Sequence, residues 1–128
     1  MKRAFVIAAW TVAAAVAYGT VAPVRVPYAI YFKLAPWLGH PSFHKFAAIE
    51  HVTVFALLGA LIAFAFPNRI IIVCCIIVFS VVLLECLQTL TPDRHGTIVD
   101  ACEKIGGGLL GVFAAHATTR LRGRHKAH

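Results

Sequence analysis

Charge is scarce in this chain, and acid is scarcer than base. Only 13% of its 128 residues are Asp, Glu, Lys or Arg, while 60% are hydrophobic. A soluble globular domain carries about a quarter charged residues. Paired cysteine spacing is also missing. Cys74, Cys75, Cys86 and Cys102 contain no CxxC pair and all lie in apolar runs. Thiols in such runs pack as small hydrophobes, which argues against a disulfide framework or a zinc knuckle. A basic stripe interleaved with aromatics is absent as well. The net charge of +7 therefore does not read as a nucleic-acid surface. Instead Lys2 and Arg3 open the chain, and Arg120, Arg122, Arg124 and Lys126 close it. Positive charge is distributed this way in membrane proteins held at their cytoplasmic face.

What is present is apolar sequence in long runs, with a mean hydropathy of +0.82. Four segments approach the roughly 20 residues needed to cross a hydrocarbon core. They are residues 4–22, 46–66, 70–90 and 98–117. A backbone in lipid must satisfy its own hydrogen bonds, so these segments predict helices despite their many β-branched residues. The fold class expected is all-α: one domain (residues 1–128) folded as a polytopic membrane protein, a four-transmembrane-helix bundle. Residues 118–128 follow as a basic tail.

The connections differ in length. Pro67-Asn68-Arg69 alone joins the second and third segments, which predicts a tight antiparallel hairpin. TPDRHGT joins the third and fourth. Residues 23–45 carry prolines at 23, 27, 36 and 41 together with Tyr28, Tyr31, Phe32 and Trp37. These aromatic types settle at membrane interfaces, so this stretch predicts an interfacial segment with one short surface helix. The opening MKR, its apolar run and Ala17-Tyr18-Gly19 also resemble a cleavable signal, whose removal would leave three helices. The run is long enough to span, so an uncleaved helix is expected. With both termini inside, the cytoplasmic side holds seven Lys or Arg residues: 2, 3, 69, 120, 122, 124 and 126. The outer side holds four, at 25, 33, 45 and 94. This count predicts cytoplasmic termini in a bacterial inner membrane.

Intramembrane charge costs about 2.5–3.5 kcal/mol per residue at a helix centre on insertion scales, so its placement is informative. Four of the five acidic residues fall within ECLQTLTPDRHGTIVDACEKIGGG, residues 85–108. The fifth, Glu50, stands beside His51 about one turn into the second helix. Glu85 and Gln88 share a face in the last turns of the third, being i, i+3 neighbours. Asp100, Glu103 and Lys104 open the fourth, and Arg94 and His95 occupy the loop between. All these groups are expected at one depth, the outer third of the bundle. Between Leu57 and Leu84 the only charged residue is Arg69.

Plainer explanations cover part of the set. Thr97 suits an N-cap, and carboxylates in the first helical turn complement the helix dipole. Asp100 and Lys104, at i, i+4, have the spacing of an intrahelical ion pair. Glu85 fits worst, because its helix offers no opposite charge; it needs Lys104, Arg94 or His51, or a neutral carboxyl. Gly106-Gly107-Gly108 with Gly111 forms a small-residue face for close helix packing, with Ala56, Gly59, Ala60 and Ala63 as its expected counterpart. A metal set of His51, His95, Glu85 and Asp100 matches no known ligand spacing, so neither a metal nor a cofactor is expected.

The runs IEHVTVFALLG, LLECLQTLTPDRH and IVDACEKIGGGLLG together resemble the VanZ-like family of small membrane proteins. The resemblance covers about residues 46–115. It rests on His51 in one helix, Glu85 and Gln88 as E-x-x-Q, the Arg94 loop, and Asp100 with Gly107 or Gly108. Lys104 stands where many members carry asparagine. The family's namesake is associated with low-level teicoplanin resistance, so the resemblance implies a cell-envelope setting; antibiotic resistance enters by family analogy only.

Three functions suit these residues. The first is binding or modulation of a membrane lipid or lipid-linked glycan at the outer leaflet. Glu50, His51, Glu85, Gln88, Arg94, His95, Asp100 and Lys104 would form its mixed-charge pocket, the cations holding phosphate and the carboxylates holding hydroxyls or amines. The second is a membrane-embedded hydrolase or transferase acting on a lipid phosphate, with Glu85 as general acid or base. The third is a structural subunit, in a homo-oligomer or with an envelope-protein partner. No nucleic-acid partner is expected.

Overall fold

The computed structural model describes residues 2–21, 25–39, 42–90 and 96–125. These residues form five helices and no strand: α1 (Lys2–Val21), α2 (Arg25–Leu34), α3 (Phe43–Ala65), α4 (Ile70–Thr89) and α5 (Ile98–His125). The expected interfacial segment contains α2. The last helix continues past residue 117, through the stretch expected as a tail. Arg and Leu in this stretch are good helix formers, and Thr118 and Thr119 bond their hydroxyls to the helix's own carbonyls at Ala114 and His116, each at 2.8 Å.

Among the described residues, only α3 and α4 are long and apolar enough to cross a membrane by length and composition. The apolar part of α1, Arg3–Gly19, is shorter, and α5 carries Asp100, Glu103 and Lys104 in its first two turns. Both α3 and α4 are bare for core helices. Just 28% and 17% of their apolar windows are buried. Ile71 and Phe79 on α4 are 77% and 69% exposed, and Leu110 and Phe113 on α5 are exposed too.

Helix ends are locally encoded. Ser42 caps α3, its hydroxyl accepting from the Lys45 amide at 3.4 Å. Thr97 does the same for α5, accepting from the Asp100 amide at 3.1 Å, which satisfies an otherwise orphan donor. Pro67 ends α3, and the chain turns through a bond from the Arg69 amide to the Phe66 carbonyl at 3.1 Å.

The most intimate contact joins α3 and α5. Gly107 lies against the Val52 backbone and Gly111 against that of Ala56, while Gly59 faces the Gly108 carbonyl. Positions 52 and 56 meet 107 and 111 in the same order, so the helices run parallel. A Cβ at Gly111 would stand 2.7 Å from the Ala56 carbonyl carbon, so only glycine allows this approach. Interhelical packing of this kind replaces the hydrophobic drive that lipid would remove. The core beside it comprises Leu58, Ala63, Val73, Ile77, Val112 and Ala115. Chain α1 lies antiparallel on α3, with Phe5 against Phe64 at 5.3 Å near one end. At the other end α2 covers α3 through rings: Tyr28 stacks on Phe43 at 4.2 Å, and Tyr31 meets Phe46 edge-on at 5.4 Å.

Candidate functional site

The parallel register that seats Gly107 on Val52 also sets the start of α5 beside Glu50 and His51. His51 Nδ1 lies 3.1 Å from Glu103 Oε2, a hydrogen bond in which the ring nitrogen donates to a carboxylate that can only accept. The same nitrogen is 3.9 Å from Asp100 Oδ1. Asp100 and Glu103 are i, i+3 neighbours on one face of α5, so a single α3 side chain reaches both. All three side chains are partly exposed, at 21–27%.

One turn on, Lys104 points the other way, toward α4. Its ammonium donates to Glu85 Oε1 and to Gln88 Oε1, the latter at 3.3 Å. Lys104 is 3% exposed and Glu85 13%, so this is a desolvated pair rather than a surface one. The second Glu85 oxygen, Oε2, is buried and has no hydrogen-bond partner among the described residues. Gly96 packs directly over that carboxylate. A Cβ there would stand 2.8 Å from both Oε2 and the Glu85 carbonyl oxygen.

A cleft of about 620 Å³ opens beside these groups. Val12, Ala15 and Val16 of α1 form one apolar wall, and Val54 and Leu57 of α3 the other. Tyr28 and Phe43 contribute their stacked rings. The polar lining is Glu50, His51, Gln88, Asp100 and Lys104. Such a mix, mostly apolar with a few convergent polar groups, is the usual character of a small-molecule site.

Of the eight residues expected to converge, Glu50, His51, Gln88, Asp100 and Lys104 therefore line one cleft. Glu85 is not among its lining residues; it sits behind Lys104 and holds that ammonium. Arg94 and His95 lie outside the described residues. Glu103 is a site residue that sequence reasoning passed over as a helix-dipole carboxylate. Its position three residues after Asp100, on the same face, was the available signal. The distribution of charge also changes what the pocket can do. Lys104 is already bonded to two acceptors, so the described lining offers carboxylates and an imidazole more readily than a free cation.

No family profile, no curated protein and no solved structure matches this chain.

Proposed function

We propose that the chain is a multi-pass bacterial inner-membrane protein of the VanZ-like type that binds an amphiphile at its outer side. The ligand is a lipid-linked glycan or a phospholipid, its apolar part along α1 and α3 and its head on Glu50, His51 and Asp100. One observation carries this reading: a single cleft joins apolar walls to a polar floor. Carboxylates there accept hydrogen bonds from sugar hydroxyls or a head-group amine, which suits the lining better than direct phosphate binding by Lys104.

A span along α5, as the four-span reading needs, is supported by where its charges go. Counted along the chain they interrupt its hydropathy, but Lys104 is buried and Asp100 and Glu103 turn toward His51. The outward residues Leu110 and Phe113 are apolar. Inward-facing, paired charge is the form in which membrane helices tolerate ionisable groups. Both termini then lie in the cytoplasm, as the lysine and arginine count favours.

The test is native mass spectrometry of the full-length protein extracted in mild detergent. A retained amphiphile is expected, lost when Val16→Trp fills the cleft. Preparations of folded protein that carry no amphiphile, or a bound one indifferent to Val16→Trp, overturn the reading.

An enzymatic reading is favoured by a different observation from the one expected. His51, with its Nδ1 held by Glu103 and its ring on the cleft wall, has the arrangement of an oriented general base. Turnover of a labelled lipid phosphate that disappears in His51→Gln would establish it.

A further inference from the structure

We propose that His51, Asp100 and Glu103 form a binding site for one divalent first-row transition-metal cation. The donor set is one imidazole nitrogen and two carboxylates, a combination that suits zinc or manganese. Their ligand atoms all lie within 4.8 Å of one another. Ligands at about 2.0–2.2 Å from a tetrahedral ion stand roughly 3.4 Å apart. The His51–Glu103 separation of 3.1 Å is already near that figure, and the His51–Asp100 separation of 3.9 Å needs to close by about half an ångström. The third pair, Asp100 and Glu103, lies within 4.8 Å, and rotation of these two partly exposed carboxylates is the movement that closure of the site would require.

A deficit of positive charge points to the same site independently. Nδ1 carries at most one proton, and Glu103 takes it. Asp100 at 3.9 Å is left with no hydrogen bond from that ring. Lys104, the nearest cation on the same helix, is turned to Glu85 and Gln88. Among the described residues, two carboxylates (Asp100 and Glu103) thus share one imidazole. Partly buried negative charge in excess is costly unless a cation joins it. Three protein ligands beside an open cleft leave a coordination position for water or a ligand oxygen. A cation here would also supply the positive charge for a phosphate head that Lys104 withholds. No linear motif announces the site because its ligands come from two helices that are not neighbours in sequence. The metal site stands on these three side chains and does not depend on the amphiphile reading.

The experiment uses full-length, untagged protein in detergent, with His125→Ala and His128→Ala in every sample so that tail imidazoles do not bind. Zn2+ titrated by calorimetry is expected to bind with one equivalent per chain. His51→Ala and Glu103→Gln should each weaken it at least about tenfold, since even outer-shell changes at metal sites cost 10–100-fold. Co2+ in place of Zn2+ should give visible absorption bands that vanish in His51→Ala. Asp100→Asn, nearly isosteric and partly exposed, decides the question where either other variant fails to fold. Absent binding by the parent, or affinity within twofold of the parent in folded Asp100→Asn and His51→Ala, overturns the proposal. Amphiphile retention in the same samples is read separately, so the two ideas fail independently.

Discussion

Lys104 of α5 buries its ammonium against the Glu85 carboxylate of α4, with Gln88 as a second acceptor. Its i, i+4 neighbour Asp100 lies on the side of His51 instead. The helix therefore splits its charges between two partners: the carboxylates go to α3 and the lysine goes to α4. Only a helix wedged between both could do so.

Removing one member of that pair should hurt more than removing both. Lys104→Met leaves Glu85 buried without a counter-charge, a change expected to cost about 3–5 kcal/mol. The double variant Glu85→Gln, Lys104→Met should recover most of the loss. Thermal unfolding in micelles measures it; equal destabilisation by the single and double variants would show that the pair is not energetically coupled.

Two glycines of the same triplet should respond oppositely to alanine. A Cβ at Gly107 would stand 2.8 Å from Val52 Cα, so Gly107→Ala must push α3 and α5 apart. Gly106 faces open space, with nothing near its would-be Cβ. Gly106→Ala should be neutral or stabilising by up to about 1 kcal/mol through helix propensity. Comparison of the two melting temperatures, with Gly107→Ala the lower by several degrees, checks the interface.

Gly96→Ala tests the cover over Glu85. Its methyl group would meet the Glu85 carbonyl and carboxylate together, forcing the start of α5 or the end of α4 to shift. Faster hydrogen exchange at residues 85–90 is the expected readout, with exchange around the turn between α3 and α4 unchanged.

Cys75 offers a direct check of the membrane reading. It is exposed on α4, whereas Val73 and Ile77 flanking it are buried. With the other cysteines replaced by alanine, Cys75 should resist a water-soluble maleimide in intact membranes and react fully once unfolded in SDS. Rapid labelling in membranes would mean that this face of α4 meets water rather than lipid.

Much of this arrangement was legible because it is locally written. Pro67-Asn68-Arg69 leaves room only for a tight turn, and Thr97 caps where a hydroxyl residue precedes an apolar run. The spacing of Gly107 and Gly111 pointed to a close helix partner, and Ala56 and Gly59 proved to lie on it. The partner choices were legible only in part, Lys104 being one of three partners the sequence offered Glu85. Asp100 has Lys104 one turn away on its own helix, and sequence spacing favours that pair. Glu85 on α4 outcompetes it because the interior contact is desolvated, which depends on α4 and on nothing within α5. Glu103 was read as a dipole-complementing carboxylate for the same reason: its histidine comes from a helix 52 positions earlier (103 − 51).

The glycine seam between α3 and α5 works like the keying of two gear racks. Each added residue turns a helix by about 100° and advances it by about 1.5 Å. A one-residue insertion anywhere between His51 and Ala56 would leave both helices intact and still apolar. It would nevertheless present the wrong flank to Gly107 and Gly111, or else carry His51 around the axis, away from Asp100 and Glu103. The spacing between seam and imidazole is thus as much a part of the site as the side chains themselves.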